Sequence, residues 1–167
     1  RWDGTAWSTA PSVTTSNLYG VWGSGPNDVW AVGDGTTRLH WNGTAWTYTS
    51  GGGESLRAVW GSGPTDVWTV GTAGKILRFD GVWNAITSPT GLDLHGAWGS
   101  GPSDVWAVGA SGKIIHWDGS LWSSIANSST TFNLYGVWGS SSTEAWAVGA
   151  SGGIVRWNGT AWANAPP

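Results

Sequence analysis

Neither cysteine nor methionine occurs in the 167 residues, and only 10% of them are charged. The missing cysteine excludes disulfide staples and thiol chemistry, and it leaves the compartment open. A chain without Met reads as a processed protein or a fragment, because translation begins on Met. The seven basic residues are scattered singly in a chain of formal net charge −3. A nucleic-acid partner, which calls for clustered Lys and Arg, is therefore not expected. No run of about 18 apolar residues exists, so no membrane insertion is expected. Aliphatic residues are also scarce: Leu and Ile together number 14, against 17 Trp and 28 Gly. Glycine is costly inside helices, and no apolar stripe of helical period is sustained, which excludes a helical fold.

What is present is a repeat. VWGSGPNDVWAVG (21–33) returns as VWGSGPTDVWTVG (59–71), AWGSGPSDVWAVG (97–109) and, more loosely, VWGSSSTEAWAVG (137–149). Trp22, Trp60, Trp98 and Trp138 lie 38, 38 and 40 residues apart. Each unit divides into four short strand-like runs: A (18–24), B (28–32), C (38–41) and D (45–49) in the first. A GP-x-D turn joins A to B, a Gly-rich turn joins B to C, and Asn-Gly or Asp-Gly joins C to D. The last pair predicts a two-residue type I′ hairpin. Four short antiparallel strands per roughly 40 residues predict an all-β fold, a β-propeller of four-stranded antiparallel blades. The chain is expected to be one domain, 1–167, with blades near 18–48, 56–86, 94–125 and 134–164. RWDGTAW (1–7) matches RWNGTAW (156–162), so residues 1–9 are expected to be a partial blade. That surplus C–D segment favours a longer array or self-association over a sealed four-blade ring.

All 17 tryptophans fall at four repeat positions, one per run. Residues recurring at every equivalent position suit the packing of blade on blade, so the tryptophans are assigned to the core, with some indoles bonding loop carbonyls. Asp28, Asp66 and Asp104 (Glu144 in the fourth unit) are expected to accept backbone N–H groups in their turns. His40, Arg78, His116 and Arg156 share one run-C position and are expected on a solvated edge. Asn42, Asn127 and Asn158 form N-glycosylation sequons, two of them in the Asn-Gly turn, where backbone geometry explains the Asn first.

One run-A position changes chemistry between units: Tyr19, Arg57, His95 and Tyr135. With Asn17, Ser55, Asp93 and Asn133 just before them, these side chains are the candidate ligand-binding residues, expected at the rim where the D–A and B–C loops meet. Aromatic faces with Arg, Asn and Asp suit a sugar or a short peptide. No catalytic residue, metal site or cofactor is expected. The GSGP glycines lack the following helix and the Lys-Ser/Thr that a phosphate loop needs.

The hairpin W-[DN]-G-x-x-W at 41–46, 117–122 and 157–162 resembles the Asp-box group of propeller repeats and Trp-rich lectin propellers. The leading Ser of an Asp-box and the spacer between its Asp and Gly are missing here. The chain also resembles tandem WGSGPxDVWAVG repeats of secreted or surface proteins of bacteria. These resemblances imply a non-enzymatic binding module or scaffold, extracellular or on the cell surface, with a glycan or a protein surface as partner. A purely structural propeller element is the alternative. A glycosidase-like enzyme is disfavoured, since sialidase-type chemistry needs an arginine cluster and a Tyr nucleophile beside a carboxylate. Only five Arg and two Glu are present.

Overall fold

The computed structural model describes residues 2, 4–126 and 129–165. Arg1 and Asp3 of the opening segment and the Asn127 sequon lie outside the described residues. Sixteen strands form four antiparallel sheets, each a simple meander in chain order. The first holds β1 (Leu18–Gly25), β2 (Asp28–Gly33), β3 (Arg38–Trp41) and β4 (Trp46–Thr49). The second holds β5 (Leu56–Gly63), β6 (Asp66–Gly71), β7 (Ile76–Phe79) and β8 (Trp83–Ala85). The third holds β9 (Leu94–Gly101), β10 (Asp104–Gly109), β11 (Ile114–Trp117) and β12 (Trp122–Ser124). The fourth holds β13 (Leu134–Ser141), β14 (Glu144–Gly149), β15 (Ile154–Trp157) and β16 (Trp162–Asn164). Trp2 and Trp7 form one isolated antiparallel bridge ahead of them.

The tryptophans pack blade against blade in two ways. Cη2 of Trp22, Trp60 and Trp98 lies against Gly61, Gly99 and Gly139 of the following sheet, where a Cβ would stand 2.6, 2.6 and 2.5 Å away. Only glycine leaves room for the ring. The second-strand tryptophans reach the next C–D hairpin: Trp68 lies 4.9 Å from Trp117 and 5.4 Å from Trp122, and Trp106 stands at the same distances from Trp157 and Trp162. Trp30 meets Phe79 and Trp83 in the same manner. Both faces of the two middle blades are buried, which is why runs A and B carry apolar residues at consecutive positions.

The arc is open. Inner strands β1, β5, β9 and β13 pack side by side in that order, and apolar side chains stay exposed on the end blades. Trp138 is 63% exposed, as is 71% of Val21, whereas Val59 at the equivalent place is buried.

Two turn expectations are corrected. The C–D loop has four residues in three blades and three in the second, not two, because Trp41 pairs with Trp46, Trp117 with Trp122, Trp157 with Trp162 and Phe79 with Trp83. Asn42 Oδ1 accepts the N–H groups of Thr44 and Ala45, so the side chain closes the turn and only Gly43 takes a positive φ. Asn158 does the same for Thr160 and Ala161. The Asp of the A–B turn does not accept backbone N–H groups. It accepts the Ser four residues before it and the run-C basic side chain, as in Ser62–Asp66–Arg78 with Arg78 Nε 2.9 Å from Asp66 Oδ1. His40, His116 and Arg156 are likewise paired, with Asp28, Asp104 and Glu144, rather than left to solvent.

Candidate functional site

Each inner strand carries two irregularities, and both position side chains. The second lies between Gly23 and Gly25 in β1 and sets Ser24 against Asp28. The first lies between Leu18 and Gly20, between Leu56 and Ala58, between Leu94 and Gly96, and between Leu134 and Gly136. The residues skipped by the ladder there are Tyr19, Arg57, His95 and Tyr135. An extra residue in one strand breaks the alternation of side chains and re-aims one of them. The bulge therefore takes these four out of blade packing while the flanking Leu56, Leu94 and Leu134 stay buried.

The structure brings the four together along adjacent inner strands. The Arg57 guanidinium lies 4.2 Å over the Tyr19 ring, and the His95 and Tyr135 rings are 5.5 Å apart. Tyr19 is 44% exposed and Tyr135 54%. Burial pushes the His95 imidazole below its ordinary range; Asp93 opposes this and Arg57 adds to it.

The residues preceding strand A have a second occupation. Asp93 Oδ1 accepts the N–H of Ala73 at 2.8 Å, and Asn133 Oδ1 that of Ser111 at 3.0 Å. Ala73 and Ser111 take left-handed backbone angles in the 3₁₀ turns Thr72–Gly74 and Ala110–Gly112. The D–A loop of one blade thus ties down the strained B–C turn of the blade before it. Backbone bonds repeat the tie, with Thr36 N–H on Glu54 O in the first blade.

Sequence reasoning passed over Asp34, the centre of the polar cluster at this rim. It accepts the Tyr19 hydroxyl (2.8 Å), the Asn17 amide (2.9 Å) and the Ser55 hydroxyl (2.9 Å). The Tyr19 bond, then those of Asn17 and Ser55, hold its carboxyl below the usual range, with Arg57 adding a smaller pull. A signal existed: Asp34 opens its B–C turn where the other units have Thr72, Ala110 and Ala150. Among the described residues, no group of three or more His, Asp or Glu is placed to hold a metal ion. Nor, among those residues, is any helix long and apolar enough to cross a membrane.

No protein-family model matches the chain, and no curated protein matches it in sequence. Solved structures do. YCF48 from Cyanidioschyzon merolae superposes with a TM-score of 0.72 at 21% identity, over 95% of this chain and 59% of that one. The WD40 repeats of RRP9 give a TM-score of 0.72 at 10% identity, over 89% of this chain and 52% of that one. The chain has a β-propeller fold. It spans little more than half the length of these two structures, and the likeness is one of architecture.

Proposed function

We propose that the chain is a non-enzymatic interaction module whose contact surface is the rim carrying Tyr19, Arg57, His95 and Tyr135. The observation behind this reading is the bulge at each of the four positions. The same backbone device recurs in every blade, while the side chain it presents changes from phenol to guanidinium to imidazole to phenol. A purely structural propeller needs only its core residues repeated. Three kinds of group over four positions suit one extended ligand crossing several blades rather than one identical small ligand per blade, so the first reading is a segment of a partner protein. A carbohydrate is the second reading, favoured by the half-open face of Tyr135, on which a sugar ring can stack. Against a glycosidase-like role, the A–B turn carboxylates are each paired with a basic side chain, and Asp34 already accepts three donors.

The test is a displayed peptide library and a glycan array, both probed with the parent protein and with Arg57→Ala and Tyr135→Ala. Binding that either substitution weakens at least tenfold, with the melting midpoint kept, supports the rim. Ligands held with full affinity by both variants would remove it.

A further inference from the structure

We infer that the partner segment proposed for the rim docks through a single carboxylate, an Asp or Glu side chain seated on Arg57, an inference that rests on that reading of the rim. Other basic side chains of the chain already have acidic partners. Arg78 lies 2.9 Å from Asp66, Arg156 2.7 Å from Glu144 and Lys75 3.3 Å from Glu54. Arg57 makes no ion pair and no hydrogen bond among the described residues. What holds it is the Tyr19 ring, whose centre lies 4.2 Å from the guanidinium carbon. A cation over an aromatic ring is held by the quadrupole of the ring and not by an acceptor oxygen. The five N–H donors of the guanidinium are therefore left for a ligand.

A carboxylate is close by, yet it is engaged elsewhere. Asp34 feels the charge of Arg57, but both its oxygens accept neutral donors. Oδ1 takes the Tyr19 and Ser55 hydroxyls, and Oδ2 takes the Asn17 amide. These bonds hold the Tyr19 ring by its hydroxyl end, and the ring in turn holds Arg57. The bulge between Leu56 and Ala58 keeps Arg57 out of the blade ladder. A cation placed in advance lowers the ordering cost of binding, and the planar guanidinium fork matches a carboxylate in two parallel bonds.

The surroundings set the number of charges. Asp34 flanks Arg57 on the first-blade side, and Asp93 stands beside His95 on the third-blade side. A tract of acidic residues would be repelled by both, and the formal net charge of −3 offers it no general attraction. One carboxylate among uncharged neighbours is what fits. The next positions along the row are the His95 and Tyr135 rings, 5.5 Å apart, with Tyr135 exposed. A peptide can set a carboxylate over β5 and an apolar side chain over β9 and β13, which favours a protein segment over an acidic sugar.

The experiment selects displayed random peptides on the parent protein at neutral pH and keeps those that Tyr135→Ala weakens. Each is then compared with its amide form, Asn for Asp or Gln for Glu, on the parent and on Arg57→Gln. The kept peptides are expected to share one acidic position. The amide form is expected to bind the parent roughly tenfold more weakly, as for one lost bond to a charged group, and Arg57→Gln less than about twofold more weakly. On the parent, the NMR resonance of Arg57 Nε–Hε is expected to shift with the acidic peptide and stay with the amide. That reading needs no variant, so it decides the matter whether or not Arg57→Gln folds. Kept peptides without a common acidic residue overturn the inference and leave the rim in place. So does an amide penalty equal on parent and variant, or an Arg57 resonance that does not move. A library without any binder that Tyr135→Ala weakens removes the rim reading and this inference together. Acidic glycans held through Arg57, with no peptide kept, overturn the occupant named here.

Discussion

The six-membered ring of Trp60 occupies the space that a side chain on Gly99 would need, with Cη2 2.6 Å from an ideal Cβ there. Trp22 with Gly61 and Trp98 with Gly139 repeat the relation, so the Trp-Gly dipeptide of each run A is one motif with two ends. The Trp serves the interface ahead and the Gly the interface behind. This explains why an exceptionally Trp-rich chain is also Gly-rich: flat rings pack on bare backbone.

Gly99→Ala is expected to cost roughly 1–3 kcal/mol, the usual range for overpacking a filled core. The new methyl would meet both the Trp60 ring and the Asp104 carbonyl oxygen. Gly101→Ala, with nothing within 4 Å of its Cβ, is expected to stay within about 0.5 kcal/mol. Urea denaturation of the two variants checks the contrast.

Trp68→Ala and Trp106→Ala are each expected to cost about 3–5 kcal/mol, as large aromatic truncations in a core do. Trp138→Ala, at the end of the arc, is expected to change the stability of the single chain by no more than about 0.5 kcal/mol. Urea denaturation of all three checks the ranking.

The carboxylate pairs should differ with their exposure. Asp66 is well covered and accepts both Ser62 and Arg78, so Asp66→Ala is expected to cost about 1.5–3 kcal/mol, as for bonds to charged groups. Glu144 and Arg156 stand much more open, and Glu144→Ala is expected to cost less than about 1 kcal/mol. Thermal melts at neutral pH read both.

His95 gives the rim a pH signature. Its folded-state pKa lies below the ordinary 6.5, chiefly through burial, so below that value the unfolded chain binds more protons than the folded one. His95 therefore subtracts stability as pH falls through 6.5, and the loss levels off below its folded pKa. NMR titration of the imidazole should show Arg57→Ala raising this pKa and Asp93→Asn lowering it further. Identical titration curves in all three proteins would show that the side chains do not share one rim.

Much of this architecture was legible in the chain itself. Strand runs A to D stand where β1 to β16 are found because turn residues bracket every run. The indoles of Trp41, Trp117 and Trp157 each bond a carbonyl of the A–B turn, those of Pro26, Pro102 and Ser142. The A–B turn aspartates misled because a local Asx turn and a pairing twelve residues away, Asp28 with His40, leave the same residue in the sequence. The Asn-Gly dipeptide misled in a similar way: Asn42 closes the loop with its side chain rather than its backbone. The bulges at Tyr19 and its equivalents leave no composition signal, and only the change of residue type marked them. Asp34 stayed hidden because its three donors come from residues 17, 19 and 55, one strand and two loops that only the fold brings together.

The central claim is that the second-strand tryptophans are walled in between successive blades, and hydroxyl-radical footprinting read residue by residue tests it most directly. Trp68 and Trp106 are expected to be protected strongly, while Trp7, on the open surface, reacts fast. Oxidation of Trp68 or Trp106 in the folded protein at the rate of Trp7 would contradict the account.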